Sequence, residues 1–366
     1  MANVGTGSNT GNNNNMGNHK RILVTGHRGY IGSVMAPMLV DAGYDVVGLD
    51  IGYFDECTLI PDKTDVPSIH RDLRDLELDD VAGCDAVVHL AALSNDPLGD
   101  LGREWTESIN YRGSVRLAEM AKAAGVQRFL FSSSCIMYGT AEAAVATEES
   151  PVAPKTIYGE SKILGERAIA ELADDHFSPT FLRNGTVYGL SPRMRFDTVL
   201  NNFVGSAVTS GKVIVYSDGE PWRPVVHVTD VARSFIEVLE APIDLVHNQT
   251  FNNGAEHLNY QIRELAEIVV ETVPGATLEV RAEPSADQRT YKTGFGKFAR
   301  TFPDFQFKWD ARDGARELYD ACSSIKLTAG DFEDKRFTRL EWLKYLLASG
   351  RLDHQLRWRG DEREER

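Results

Sequence analysis

The sequence predicts an α/β protein built on a doubly wound parallel sheet with a smaller mixed α/β lobe beside it, and three observations carry that expectation. Strand-like and helix-like patterns alternate from Arg21 to about residue 190, the rhythm of a parallel sheet covered by helices on both faces. A glycine-spaced turn, TGHRGYIG, joins the first apolar run to the first helical pattern. An acid, Asp50, ends the second apolar run.

The elements follow in order. Strands are expected at residues 22–24, 45–50, 68–71, 86–90, 128–132 and 180–183, each a short apolar or β-branched run bounded by turn residues. Helices are expected at 31–42, closed by Gly43, then at 105–124 and 158–173. Beyond residue 191 the rhythm loosens into helices at 199–210, 260–273, 311–321 and 338–348 with short extended pieces. The expected organisation is an Asn/Gly-rich disordered head at 1–19, a dinucleotide-binding domain at 20–190, a substrate lobe at 191–359 and a charged tail at 360–366. Residues 225–240 are expected to pack back on the first domain.

Composition narrows the partners. The chain has 366 residues, 42% of them hydrophobic, and a net charge of -15, so it lacks the basic footprint that nucleic acid or an anionic membrane surface requires. Any anionic ligand must be met by a few local arginines. Cys57, Cys84, Cys135 and Cys322 are scattered without a CxxC pair or a metal-ligand spacing, which fits a reduced cytoplasmic setting and no metal. No stretch reaches the roughly 20 apolar residues that span a bilayer, and the head has no signal-peptide pattern.

The glycine turn carries the first chemistry. Gly26, Gly29 and Gly32 fall between strand and helix, where bare backbone lets a diphosphate approach the positive end of the helix. Asp50 then stands where a carboxylate accepts hydrogen bonds from both hydroxyls of an adenosine ribose and repels a 2′-phosphate, which favours NAD over NADP. Tyr30 and Ile31 complete the turn, Asp72 and Leu73 follow the third strand beside the adenine, and Leu90, Ala91 and Ala92 end the fourth strand along the dinucleotide. Tyr158 and Lys162 are four apart at the start of a helix, hence on one face. An ammonium beside a phenol lowers the phenol's pKa and makes it a usable acid or base near neutrality. Taken alone that spacing occurs on many helices.

It gains meaning from its company. TGHRGYIG, HLAAL, SSSCIMYG and YGESK occur in one order over residues 21 to about 190. This resembles the extended short-chain dehydrogenase/reductase family, in particular the nucleotide-sugar epimerases and dehydratases of the UDP-galactose 4-epimerase type. The resemblance implies a Rossmann sheet, a nucleotide-sugar substrate and a homodimer. It implies that Ser134 bonds the substrate hydroxyl, that Tyr158 is the acid/base, that Lys162 also holds the nicotinamide ribose, and that Asn110 supports the cofactor site. In the substrate lobe it implies Asn202 as a nucleotide contact and Arg223 and Arg289 as diphosphate ligands, a task suited to guanidinium forks. Ser94, Asn95 and Asp96 border the sugar.

Three positions depart from the family. His27 stands where a small residue is usual, Thr186 replaces an Asn of the substrate-facing loop, and Pro224 replaces an Asp. The reaction is read from the residues after Ser134. The 4,6-dehydratases carry an Asp-Glu pair there to move protons; this chain has Cys135 and Ile136, and an isoleucine transfers no proton. Cys135 is read as a small packed residue. What remains is C4 epimerisation through a transient 4-keto sugar, a one-way 4-ketosugar reduction, or, in another class, a non-catalytic protein that senses NAD.

Overall fold

A computed structural model describes residues 20–62, 66–94, 102–139, 145–281 and 289–360. The expected disordered head, Asn95, Asp96 and the tail beyond Gly360 lie outside the described residues.

The first six strands are β1 (Arg21–Thr25), β2 (Asp45–Asp50), β3 (Ser68–His70), β4 (Ala86–His89), β5 (Arg128–Ser134) and β6 (Ser178–Asn184). They join β10 (Gln249–Asn253) in a seven-stranded sheet of order β10-β6-β5-β4-β1-β2-β3, every pair parallel. Such a sheet buries both faces, and β4 and β6 are accordingly buried at every residue. Ile22, Val24, Val88 and Leu182 pack on one face, and Leu23, Val87, Phe129 and Phe131 on the other. Each buried aliphatic side chain of this kind contributes about 1.5–3 kcal/mol.

Strand order reverses between β1 and β4, so the carboxyl ends of these strands open a crevice for ligands. Above it lies a second layer: β7 (Thr186–Tyr188), β9 (Trp222–His227) and β11 (Asn259–Gln261) form a three-stranded sheet, and β8 (Lys212–Val215) pairs with β12 (Thr277–Val280). Helices Val199–Ser210, Ile262–Thr272 and Ala311–Ser324 pack around a core that includes Leu200, Val204, Leu265, Val269 and Leu318. This is the mixed α/β lobe that was expected.

Two assignments need correction. The span 191–359 is not one lobe: β10 extends the main sheet beside β6, and the last helix, Arg339–Ala348, packs with its tail on the loop after β2. Helix Val228–Glu240 lies against the main sheet through Val231, Phe235 and Val238. The expected helix at 105–124 is three pieces, Arg103–Thr106, a π-helical turn at Glu107–Gly113, and Ser114–Ala123. Hydrophobic periodicity does not see a π turn, which inserts one extra residue into an otherwise helical run.

Candidate active site

A cleft of about 690 Å³ runs along the carboxyl ends of the parallel strands and under the second layer. Its floor is the glycine turn. Gly26 has φ +73°, and a Cβ there would stand 2.8 Å from the Ala91 nitrogen; a Cβ at Gly32 would overlap the Gly26 carbonyl and the His27 backbone. Only bare backbone closes this turn, which leaves the cradle a diphosphate needs. Gly29, Tyr30, Ile31, Leu73, Leu90, Ala91 and Ala92 line the same cleft.

Asp50 is held in place by backbone N–H groups, Gly52 at 2.8 Å and Arg28 at 3.1 Å. Among the described residues no cation pairs with it, so its charge stays available to a ribose diol and opposed to a 2′-phosphate. The residues present fit NAD. Asp72 lines the cleft edge, but its oxygens receive Arg74 (2.5 Å) and Arg357 (3.0 Å), so its carboxylate is already largely engaged. His27 does not line the cleft: its ring fills the space over Gly48, where a Cβ would collide with it. Burial lowers its pKa.

Among the described residues proposed for the site, Asn110 alone is not on the cleft wall. It acts from behind. Its carboxamide accepts from the Leu93 N–H (2.8 Å) and donates to the Leu93 carbonyl (3.1 Å). The Ser114 hydroxyl donates to the Asn110 carbonyl (2.6 Å), which leaves that hydroxyl to accept from His89 Nε2 (2.7 Å) and His89 Nδ1 to accept from the Thr25 hydroxyl (2.6 Å). Burial drives the His89 pKa well down, so the ring is neutral as this chain of bonds requires. The network ties the end of β1 to the loop Leu90–Ser94, and neither Thr25 nor Ser114 carried a sequence signal.

The reactive side chains meet across β5 and the helix Ile157–Ala170. Thr156 caps that helix by accepting from the Gly159 N–H at 3.1 Å, which puts Tyr158 in its first turn and Lys162 one turn on. Gly165 lets the helix lie against Phe131; a Cβ there would stand 3.2 Å from the ring. Lys162 Nζ thereby donates to the Ser132 carbonyl at 2.8 Å and lies 5.8 Å from the centre of the Tyr158 ring. Burial lowers the Lys162 pKa to about 7. Ser134 accepts from the Ile136 N–H at 3.3 Å and lines the cleft with Tyr158, Lys162 and Ile136. Cys135 faces away, donates to the Arg183 carbonyl at 3.1 Å, and burial pushes its thiol up to about 12.

At the other end stand Ser94, Thr186, Asn202, Arg223 and Arg289. Arg223 is directed by bonds to the carbonyls of Trp222 and Arg289. The wall also holds Arg195, Asp197, Tyr216 and Arg339, none of which sequence reasoning singled out. Arg195 pairs with Asp197 at 2.8 Å and donates to the Ser94 hydroxyl at 3.2 Å. Among the described residues, no group of His, Cys, Asp and Glu is placed to hold a metal, and no helix is long and apolar enough to cross a membrane.

A dinucleotide cradle facing a tyrosine and a lysine over the ends of a parallel sheet defines a nicotinamide-linked enzyme. The chain belongs to the NAD dependent epimerase/dehydratase family, whose model matches residues 22–254. It is 31% identical over 263 residues to the low-salt glycan biosynthesis protein Agl12 of Haloferax volcanii, covering 70% of this chain and 83% of that protein. It is 28% identical over 333 residues to the UDP-glucose 4-epimerase of Bacillus subtilis, covering 81% and 94%. Among solved structures it resembles MoeE5 in complex with UDP-glucose and NAD, with TM-score 0.71, 26% identity and coverage of 84% and 99%. The Thermus thermophilus UDP-glucose 4-epimerase complex with NAD matches with TM-score 0.67, 25% identity and coverage of 82% and 98%. The protein is therefore an NAD-dependent nucleotide-sugar enzyme, and the non-catalytic sensing alternative is withdrawn.

Proposed function

We propose that this enzyme epimerises a nucleotide sugar at C4. The observation that carries the reading is the composition of the cleft wall after Ser134: Ile136 is on it, Cys135 is turned away with its proton firmly held, and no acid-base pair for eliminating water stands there. Tyr158, Lys162 and Ser134 are on the same wall, the set needed to oxidise an alcohol and reduce the ketone again.

NAD, when bound, accepts a hydride from C4 and returns it. The protein's own groups do the rest. Ser134 orients the C4 hydroxyl, and Tyr158 takes its proton as the ketone forms and gives it back on return. Lys162 stabilises the phenolate. Arg223 and Arg289 hold the diphosphate while the keto sugar turns over between half-reactions, which preserves the effective concentration of the intermediate. The working unit is a homodimer in a reducing cytoplasm, a setting suited to four unpaired buried cysteines.

Incubation of the NAD-loaded protein with UDP-glucose, UDP-galactose and other nucleotide sugars, followed by proton NMR, tests this. Inversion at C4 without added reductant is expected. Consumption of NADH with a 4-keto sugar and no inversion would replace the reading by a 4-ketoreductase.

A further inference from the structure

The chain ends on the cofactor domain. Helix Arg339–Ala348 and the turn to Trp358 cover the loop that leaves Asp50, residues 51–58, and join it in a separate apolar core with Tyr53, Cys57, Leu346 and Leu356. Three hydrogen bonds pin that loop's backbone and ring: Trp342 Nε1 donates to the Tyr53 carbonyl (2.7 Å), Trp358 Nε1 to the Ile51 carbonyl (2.8 Å), and the Tyr53 hydroxyl to the Leu356 carbonyl. Arg74 donates to the Gln355 carbonyl at 2.6 Å, and Arg357 pairs with Asp72 and Asp75. Ile51, Tyr53 and Phe54 of the pinned loop line the cleft.

The same helix delivers a cation. Arg339 is 3% exposed, lines the cleft, lies 4.3 Å from the Phe54 ring centre and donates to the Arg193 carbonyl at 2.8 Å. Among the described residues Arg193 pairs with Asp62 and Arg195 with Asp197, while no carboxylate is within ion-pair distance of the Arg339 guanidinium. Burial, with Arg195 nearby, lowers its pKa to about 10. Among the described residues these three guanidinium groups share two carboxylates, an arrangement costly in a buried place unless an anion joins it. The 51–58 loop and Arg195, both beside Arg339, are tied to the glycine turn. Arg28 pairs with Asp55 of the 51–58 loop at 2.7 Å, and Asn201 donates both to the Arg195 carbonyl (2.9 Å) and to the Tyr30 hydroxyl (3.0 Å).

We infer that the C-terminal segment 339–358 is a built-in clamp on the dinucleotide: Arg339 is a ligand of its diphosphate, and the tryptophan pins keep the 51–58 loop closed so that NAD is retained between turnovers. The inference rests on the family's cofactor and not on the epimerase reading, because its test needs no sugar turnover.

The test measures binding and release on the full chain. Exchange of bound NAD against labelled NAD, and equilibrium affinities for NAD, ADP-ribose and adenosine, are determined for the wild type, Arg339→Gln, Arg339→Lys and Trp358→Phe. Arg339→Gln is expected to weaken NAD and ADP-ribose together by about tenfold or more while leaving adenosine unchanged, with partial recovery in Arg339→Lys. Trp358→Phe keeps a ring but loses the N–H, and is expected to speed exchange severalfold. If the Gln variant does not fold, the Lys variant carries the test, since loss of the planar fork alone should still lower ADP-ribose affinity. Unchanged dinucleotide affinity in a folded Arg339 variant, or an equal loss of adenosine affinity, would overturn the diphosphate role; wild-type exchange in Trp358→Phe would overturn the pin.

Discussion

The two ends of the cleft are built from different materials. The cofactor end is backbone: a glycine turn, the small residues Ala91 and Ala92, and a carboxylate fixed by two N–H groups. The end proposed for the nucleotide sugar is long side chains, with Arg195 and Arg289 on loops, Arg223 on β9 and Asn202 on the helix Val199–Ser210. Backbone cradles are set locally and tolerate no side chain, whereas guanidinium walls are adjustable. The difference predicts that substitutions at one end leave binding at the other largely intact, and each half is open to challenge.

The junction of the two ends should be the most sensitive place. Tyr158→Phe is expected to lower turnover about 10³-fold or more while NAD stays bound, measured by NMR turnover and by cofactor absorbance; near-wild-type turnover would remove the phenol from the chemistry. At the cofactor end, Gly32→Val places a branched side chain against the Gly26 carbonyl. Loss of NAD by about 100-fold is expected in titrations, with sugar binding much less affected. Equal loss at both ends would erase the distinction drawn between them.

Lys162 offers a test through pH. Its pKa is about 7 in the fold and roughly 10.4 in an unfolded chain. Between those values the unfolded chain binds the extra proton, so stability rises with pH across that window. The cost of burying the ammonium is fully present below about 7 and fades as pH approaches 10. Cofactor-free Lys162→Met should therefore be more stable than wild type at neutral pH by about 2–4 kcal/mol, with the gap closing on the alkaline side in denaturant melts. A gap independent of pH would contradict the assignment.

At the sugar end, Arg289→Ala is expected to weaken nucleotide-sugar binding about tenfold, visible in KM with kcat nearly kept, as loss of one charged hydrogen bond implies. The smallest effect belongs to Cys135→Ser, buried behind the wall. Turnover within about twofold of wild type is expected; a large loss in a folded variant would restore Cys135 as a proton-transfer group.

Much of this was legible in the sequence because it is local. Alternating apolar runs placed the six strands of the first domain, and 45–50 matched to the residue. The glycine spacing located the cradle, and a four-residue step put Tyr158 and Lys162 on one face. The misses are also instructive. Asn110 belongs to the right region but serves the site from a π turn behind the wall, a geometry that side-chain periodicity does not encode. His27 stood out only as an unusual residue in the glycine turn; the structure turns its ring into the space over Gly48 on the neighbouring strand β2.

The sequence by itself determined six of the sheet's seven strands, the cofactor turn and the tyrosine-lysine pair, because each is governed by neighbours a few residues apart. Only the tertiary structure decided which arginines face the cleft, which carboxylates neutralise them, and that the chain's end returns to the cofactor loop. Tyr53 and Leu356 are separated by 303 residues and joined by one hydrogen bond. Such pairings depend on the packing of the whole fold, and no short-range pattern in the chain records them.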